Sequence, residues 1–255
     1  MSSGQLLGGR PVLRIASAPG GGRPVLLHLH GGGYRSGSPA LSRPLAARLS
    51  RLTGCEVVVP AYRLAPAHPF PAAVQDGLAV YAELLRHGVG ADRIAVVGES
   101  AGGGLALAVV LAARRAGLPV PAAVAGLSPW LDLTLESPAF ERCAATDPVL
   151  DRASLRHSAS LYLAGADPRD PGASPLFADA ASLAALPPVL LQASRAEVLA
   201  DDAERFGARV TEAGGECRVE MWEATTHCWQ LAVDRLPEAV AAVGSVAEFL
   251  TQHLA

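Results

Sequence analysis

The chain has 255 residues, of which 50% are apolar and 18% are charged, and its formal net charge is −3. This length suits one sizeable α/β domain rather than two independent ones, and the charge argues against nucleic acids or anionic membranes as partners. All 21 basic residues are arginine, which excludes chemistry that depends on lysine, such as Schiff bases and Walker A phosphate binding.

Short apolar runs rich in β-branched residues alternate with helical patterns along the chain. The predicted strands are Val12–Ala16, Val25–His30, Glu56–Pro60, Ile94–Gly98, Ala122–Leu127, Val189–Ala193 and Arg218–Trp222. The predicted helices are Ala40–Leu52, Pro71–Arg86, Ala101–Ala116, Arg152–Leu163, Asp201–Ala213 and Glu238–His253. This alternation predicts an α/β fold with a mostly parallel central sheet and helices on both faces.

The alternation breaks between residues 132 and 187, where proline, aspartate and serine are frequent and one clear helix is predicted. Because insertions of this length are uncommon in compact α/β domains, we expect the segment to form a partial lid or a binding element. Packing filler is the alternative. In both cases the chain is predicted to form a single domain over residues 1–255.

The cysteines are Cys55, Cys143, Cys217 and Cys228, and their spacing does not match that of metal ligands. We interpret them as reduced thiols, as expected in the cytoplasm. The first residues lack the pattern of a secretory signal, and no apolar run has the length of a membrane span. These patterns predict a cytoplasmic protein that needs no metal or other cofactor and does not bind a membrane.

One serine is predicted to be exposed at a sharp turn. A β-branched run leads into Gly98-Glu99-Ser100-Ala101-Gly102, directly before an alanine-rich helix. This pattern is typical of a strand, a tight turn and a helix that project the serine hydroxyl from the edge of a sheet. A serine hydroxyl becomes a good nucleophile only when a base activates it and donors stabilise the oxyanion, so the interpretation depends on its partners.

A glycine-rich loop, His30-Gly31-Gly32-Gly33-Tyr34, follows the second predicted strand. Consecutive glycines let backbone N–H groups approach a developing negative charge without obstruction by a Cβ atom. Together with the N–H group after the serine, they would form an oxyanion hole. A phosphate-binding loop is the alternative, but neither a G-x-G-x-x-G helix entry nor a lysine follows.

The candidate base and acid come later in the chain. His227 follows the last predicted strand in a short polar loop, from which it can reach the sheet edge that exposes Ser100. The acid that orients the imidazole is expected after the preceding strand, where the sequence offers Glu197, Asp201 and Asp202. Glu197 is favoured because it lies in the loop, whereas Asp202 and then Asp201 are alternatives at the start of a predicted helix.

Several stretches together resemble the bacterial hormone-sensitive-lipase family (family IV) of α/β-hydrolases, including its acetyl hydrolase and monoterpene lactone hydrolase branch. They are HGGGY (30–34), YRLAPAHPFPAA (62–73), GESAGGG (98–104), LSPWLDLT (127–134), LPPVLLQASRAEVLADD (186–202) and THCWQ (226–230). The resemblance implies an α/β-hydrolase fold with Ser100 as nucleophile, Glu197 as acid and His227 as base. It also implies a homodimer, and an oxyanion hole formed by the N–H groups of Gly32, Gly33 and Ala101.

The chain departs from the family pattern close to these motifs. Glu99 stands where aspartate usually precedes the nucleophile, Ala67 where glutamate is usual, and Ser194 where glycine is common. None of these changes removes a catalytic atom, and we interpret Glu99 as a structural carboxylate rather than a second acid.

A further departure concerns the N-terminal cap. In the family, some tens of residues that form helices over the acyl pocket usually precede the catalytic core, whereas here the glycine loop begins at His30. We therefore expect most of this cap to be absent and the site to be more open, with weaker exclusion of water. Cover supplied by a partner subunit is the alternative.

Together these patterns predict a carboxylesterase that hydrolyses small, short-chain acyl esters. The alternatives are a lactone hydrolase with the same machinery, an amidase or deacetylase, and a non-catalytic relative that binds a small molecule. Tyr34, Trp130 and Trp229 are candidate walls of the substrate pocket. Packing in the core is the alternative for each of them, because aromatic side chains tend to be buried.

Overall fold

One sheet of eight strands lies at the centre of the computed structural model, which describes residues 5–18, 21–223 and 225–255. The strands are β1 (Leu6–Leu7), β2 (Arg10–Ile15), β3 (Val25–Leu29), β4 (Glu56–Pro60), β5 (Ile94–Glu99), β6 (Ala123–Leu127), β7 (Val189–Ser194) and β8 (Cys217–Trp222). Their order across the sheet is β1-β2-β4-β3-β5-β6-β7-β8. The pairs β1/β2 and β2/β4 are antiparallel, and the other neighbours are parallel.

Helices connect most of the strands. They are α1 (Arg43–Thr53), α2 (Ala72–Arg86), α3 (Ala101–Arg115), α4 (Ala139–Arg142), α5 (Arg152–Leu163), α6 (Ala180–Ala184), α7 (Ala200–Glu212) and α8 (Pro237–His253). Short 3₁₀ turns cover Ala91–Arg93, Pro175–Phe177 and Trp229–Ala232. In the described part of the chain, none of these helices combines the length and the apolar character needed to cross a membrane.

The two faces of the sheet carry different helices. Leu26 and Val97 form a buried cluster with α1 and α8, whereas their neighbours Leu27 and Val96 belong to the larger cluster with α2, α3 and α7. Successive side chains of a strand point to opposite faces. Strands that are covered on both faces therefore consist of nearly continuous apolar runs, which explains the sequence pattern.

The α/β fold class predicted from the sequence is confirmed, with a mostly parallel sheet between two helical layers. Each predicted strand and helix is present, within three residues of its predicted ends. The prediction omitted β1, α4 and α6, which have two, four and five residues. The turn between β1 and β2 is Gly8-Gly9, both with positive φ, and this dipeptide is a recognised hairpin signal.

The topology brings the sequence motifs to one edge of the sheet. β3 leads into the glycine loop, β5 into Ser100, β7 into the loop with Glu197, and β8 into the loop with His227. These four strands are parallel, so their carboxyl ends lie at the same edge. In open α/β sheets, ligands bind in the crevice at this edge.

The start of α3 lies too close to the backbones of β5 and β3 for side chains at two glycines. A Cβ atom on Gly98 would overlap the carbonyl oxygen of Gly102, and one on Gly102 would overlap the carbonyl oxygen of Leu29. Glycine is required at both positions because backbone atoms cannot move aside as a side chain would. These two contacts hold the start of α3 against the carboxyl ends of β5 and β3.

We expect Gly98→Ala to lower the free energy of unfolding by about 1–3 kcal/mol, because the added methyl group overpacks a rigid backbone contact. Gly244→Ala is the matched control, since a Cβ atom at that position in α8 meets nothing within 4 Å. The control is expected to raise stability by about 0.4–1 kcal/mol through helix propensity and a smaller unfolded ensemble. Urea denaturation measures the change in the free energy of unfolding for both variants. Equal changes would contradict the interpretation that the backbone contact at Gly98 excludes a side chain.

Candidate active site

Ser100 occupies a strained turn between β5 and α3. Its φ of 56° and ψ of −125° lie outside the regions that residues with a Cβ atom normally adopt, and such strain occurs mainly at functional sites. The N–H group of Ser100 donates to the carbonyl of Leu127 (2.9 Å), and its own carbonyl accepts from the N–H group of Trp130 (3.0 Å). These bonds hold the turn so that Ser100 lies on the wall of a cavity.

The imidazole of His227 lies between Ser100 and Glu197. Its Nε2 atom is 2.9 Å from Oγ of Ser100, and its Nδ1 atom is 2.6 Å from Oε2 of Glu197. When Nδ1–H donates to the carboxylate, Nε2 is left as an acceptor for the hydroxyl hydrogen. An imidazole in this position can remove the serine proton as a general base.

Glu197 is fully buried and is held on both oxygens. While Oε2 faces the imidazole, Oε1 accepts from the N–H group of Ser194 at 2.8 Å. The hydroxyl of Ser194 in turn donates to the carbonyl of Thr225 at 2.7 Å. The loop that carries Glu197 is therefore tied to the loop that carries His227, which holds the ring in one orientation.

The other two candidate acids, Asp201 and Asp202, bind elsewhere. Asp202 accepts from the N–H groups of Leu131 and Asp132 at 2.8 and 3.0 Å, and Asp201 accepts from that of Ala139 at 2.9 Å. Burial raises the pKa of Asp202 well above its ordinary value, although the N–H donors oppose it. Both residues anchor the start of the segment between β6 and β7 to α7.

The loop after β3 has a backbone that requires glycine. Gly32 and Gly33 have φ values of 120° and 61°, and a Cβ atom on Gly32 would overlap the carbonyl oxygen of Ser36. Among the described residues, the N–H groups of Gly32 and Gly33 have no hydrogen-bond acceptor. Ala101 begins α3, where an N–H group lacks a partner within the helix. These donors are available to a bound oxyanion.

Glu99 forms a second buried carboxylate–imidazole pair. Its Oε2 atom lies 2.6 Å from Nε2 of His28, and its Oε1 atom accepts from the N–H group of Gly31 (2.9 Å) and the hydroxyl of Ser42 (3.2 Å). Burial opposes ionisation of Glu99, but the contacts with His28 and Gly31 outweigh it and hold the pKa below its ordinary value. Glu99 thereby ties the glycine loop to the turn with Ser100.

The electrostatic surroundings of His227 favour the imidazolium form. Burial lowers the pKa of His227, but its contacts with Cys228 and Glu197 outweigh burial and raise the pKa well above 6.5. The sulfur of Cys228 lies 3.4 Å from Nε2, and burial raises the pKa of this thiol. Of these two contacts, the carboxylate of Glu197 is the closer, with Oε2 at 2.6 Å from Nδ1, and it stabilises the positive charge of the imidazolium.

A cavity of about 490 Å³ opens over Ser100. The glycine loop, the serine turn and the loop with His227 form one part of its wall. The segment between β6 and β7 forms another part, through Val149, Leu150, Ser154, Leu155 and Ser158. Leu41, Val149 and Leu231 are 72%, 55% and 43% exposed at this cavity, so its mouth is apolar.

A protein family described by its alpha/beta hydrolase fold matches residues 26–231. The chain belongs to the α/β-hydrolase family. An acetyl-hydrolase from Streptomyces hygroscopicus is 43% identical to this α/β-hydrolase over 226 residues, which cover 89% of this chain and 75% of that protein.

Solved structures narrow the assignment. An esterase from the bacterial hormone-sensitive-lipase family is 41% identical, with a TM-score of 0.95 over 99% of this chain and 84% of that one. The structure of EstE5 soaked with p-nitrophenyl butyrate is 38% identical, with a TM-score of 0.94 over 98% of this chain and 83% of that one. The predicted membership of the hormone-sensitive-lipase family is confirmed, and the protein is a carboxylesterase.

The three aromatic residues expected at the substrate pocket lie in the core of this esterase instead. Tyr34, Trp130 and Trp229 are at most 2% exposed, and none of them is among the described residues that line the cavity. Tyr34 stacks on Tyr162 with ring centroids 3.8 Å apart, and Trp229 packs against Trp222 at 5.7 Å. All three rings therefore pack in buried clusters rather than on the described cavity wall, as the alternative of core packing expects.

The sequence interpretation missed several residues at the cavity. Arg35, Leu41, Cys228 and Leu231 line it, as do the residues from the segment between β6 and β7. Arg35 and Cys228 could have been found, since Arg35 directly follows the motif HGGGY and Cys228 lies within the motif THCWQ. The exposed leucines carry no comparable signal, because single apolar residues at a protein surface are common.

We expect Glu197→Gln to lower the pKa of His227 by about 1–3 pH units, because the substitution removes the charge that stabilises the imidazolium. Asp202→Asn is the control and should leave the pKa of His227 nearly unchanged, since Asp202 binds the backbone of Leu131 and Asp132. NMR titration of histidine labelled with ¹³C measures both. A larger decrease in the control variant would assign the acid to Asp202.

Proposed function

We propose that this carboxylesterase works by two-step acyl transfer with Ser100 as nucleophile, His227 as base and Glu197 as acid. The observation that carries the proposal is the continuous contact from Oγ of Ser100 through His227 to the carboxylate of Glu197, at 2.9 and 2.6 Å. His227 takes the hydroxyl proton as Oγ attacks the ester carbonyl, and then gives it to the leaving alcohol. Water repeats the sequence on the acyl-enzyme and releases the acid.

The proposed oxyanion hole consists of the N–H groups of Gly32, Gly33 and Ala101. Its support is that the two glycine donors have no acceptor within the described residues and that Ala101 starts a helix. Donors that are already positioned need no reorganisation when charge develops, and the loss of one costs about 10²–10³ in rate. The contact of Glu99 with the N–H group of Gly31 (2.9 Å) helps to fix the loop.

We further propose that the segment at residues 132–187 acts as a partial lid within one domain and that the substrates are short-chain acyl esters. The segment places Val149, Leu150 and Leu155 on the cavity wall, where they would contact the substrate. A cavity of about 490 Å³ lies in the lower part of the usual range for small-ligand sites, which favours small esters. A cytoplasmic location and a homodimer remain predictions of the sequence.

We expect Ser100→Ala to abolish hydrolysis of p-nitrophenyl acetate and butyrate, because the proposed mechanism has no nucleophile other than the hydroxyl of Ser100. Glu197→Gln should lower kcat by about 10³–10⁴, in line with the cost of losing the orienting acid of a triad. Asp202→Asn is expected to retain most of the wild-type kcat. Release of p-nitrophenolate measures all three.

Two outcomes would contradict this assignment. Turnover that persists in Ser100→Ala would show that Ser100 is not the nucleophile. Activity that survives Glu197→Gln and disappears in Asp202→Asn would show that Asp202, not Glu197, is the acid.

The pH dependence of activity provides a check on His227, which must be neutral to act as a base. Since its pKa is raised, the acidic limb of kcat/KM should lie above pH 6.5 and activity should fall as the pH decreases through it.

The proposed lid predicts a change in chain-length preference. We expect Val149→Trp to reduce kcat/KM for p-nitrophenyl octanoate at least fivefold more than for the acetate, because the larger ring narrows the cavity mouth. Val240→Trp is the control, since Val240 is also exposed but lies on α8. Equal effects of Val149→Trp on both esters would contradict a role of the segment in binding the acyl chain.

A further inference from the structure

Arg35 brings a positive charge to the cavity close to the proposed oxyanion donors. It follows Gly33 by two residues, and its N–H group donates to the carbonyl of Gly32 at 3.2 Å, which closes a tight turn. Its side chain belongs to the cavity wall and is exposed. An arginine side chain at this position can reach a group only a few bonds away from an ester carbonyl that is held by the glycine loop.

The guanidinium of Arg35 is anchored at one end. Its Nε atom donates to the hydroxyl of Ser158 at 2.8 Å, and that hydroxyl donates to the carbonyl of Ser154 at 3.0 Å. The donor and acceptor capacities of Ser158 are thus both used, which fixes the contact with α5. The two terminal amino groups of the guanidinium remain available for a ligand.

Arg35 has no carboxylate partner in the part of the chain that the structure describes. Glu99 is the only acidic residue on the described cavity wall, and it is occupied by His28, Gly31 and Ser42. The charge of Arg35 is therefore not neutralised within the site. This differs from many arginines of the chain, such as Arg63 and Arg205, which form ion pairs with Asp76 and Asp132.

The side chains around Arg35 are suited to an anionic group. Hydroxyl groups also line the cavity, on Ser36, Ser38, Ser154 and Ser158. Three of them donate to backbone carbonyls, whereas the hydroxyl of Ser38 forms no hydrogen bond among the described residues and can donate to an anion. A guanidinium that uses Nε for one contact can still bind a carboxylate through its terminal amino groups in a bidentate manner. The exposed apolar residues of the cavity wall are Leu41, Val149 and Leu231. The cavity therefore offers both a polar and an apolar surface.

We propose that Arg35 forms a subsite for a carboxylate, so that the preferred esters carry a negative charge a few bonds away from the scissile carbonyl. This inference rests on the proposed esterase mechanism and specifies its substrate class. Hydrolysis itself is unchanged: Oγ of Ser100 displaces the alcohol from the ester carbonyl, and water then releases the acid from the acyl-enzyme. The free carboxylate of the substrate takes no part in either step and keeps its charge throughout. The negative charge can lie on the acyl part or on the alcohol part of the ester, because both parts enter the cavity over Ser100.

The test compares matched substrates in which a free carboxylate is replaced by its uncharged methyl ester. In the acyl arm, p-nitrophenyl hydrogen glutarate is compared with p-nitrophenyl methyl glutarate. In the alcohol arm, 4-acetoxybenzoate is compared with its methyl ester. The measured quantity is the ratio of kcat/KM for the charged ester to that for the neutral ester, in the wild type and in Arg35→Gln.

We expect the ratio to fall about ten- to hundredfold in Arg35→Gln in one of the two arms, mainly through KM, because hydrogen bonds to charged groups have this strength. Arg156→Gln is the control, since it removes the same charge from an exposed position on α5 that does not line the cavity. Its ratio should stay within twofold of the wild type. The arm that responds identifies the part of the substrate that Arg35 binds.

An equal effect of Arg35→Gln on charged and neutral esters in both arms would overturn the subsite, as would an equal decrease of the ratio in Arg156→Gln. The wild-type rates separate this failure from a failure of the proposed function. If the neutral esters are hydrolysed and the charged ones are not, only the carboxylate subsite is wrong. If no ester is hydrolysed in a manner that depends on Ser100, the catalytic mechanism is wrong as well.

Discussion

The backbone contact between Gly98 and Gly102 is the constraint on which the site depends. It forces the chain from β5 into α3 through a turn in which Ser100 has a φ of 56°. That conformation directs Oγ to His227, 2.9 Å away, and places the N–H group of Ala101 at the start of a helix. The proposed nucleophile and one proposed oxyanion donor thus derive from a single local geometry, which a side chain on Gly98 would disrupt.

Two buried carboxylate–imidazole pairs lie on either side of Ser100, and their outer contacts give them different roles. In both pairs the nitrogen–oxygen distance is 2.6 Å. The free nitrogen of His227 meets the serine hydroxyl, whereas Nδ1 of His28 has no partner among the described residues. Of the two imidazoles, only that of His227 is therefore placed to take a proton from the hydroxyl of Ser100. The pair of Glu99 instead holds the glycine loop, because its second oxygen binds the N–H group of Gly31.

Local patterns predicted much of this arrangement because they depend on backbone constraints. The turn around Ser100 and the loop at Gly32 require glycine at particular positions, and such requirements are visible in a sequence. The local pattern does not decide among Glu197, Asp201 and Asp202, because the choice depends on how each side chain leaves the end of β7. The aromatic residues show the limit most clearly: an apolar ring such as Trp130 suits a pocket and a core equally well, and only three-dimensional packing decides between them.

The central claim is that Ser100 is the nucleophile activated by this geometry, and covalent labelling tests it most directly. In the reaction with p-nitrophenyl diethyl phosphate, the nucleophilic oxygen forms a bond to phosphorus and p-nitrophenolate leaves. Peptide mass spectrometry should locate one diethylphosphoryl group on Ser100, in proportion to the loss of esterase activity, and no label should appear in Ser100→Ala. A label on another residue that accompanies the loss of activity, or full activity after Ser100 is labelled, would contradict the account.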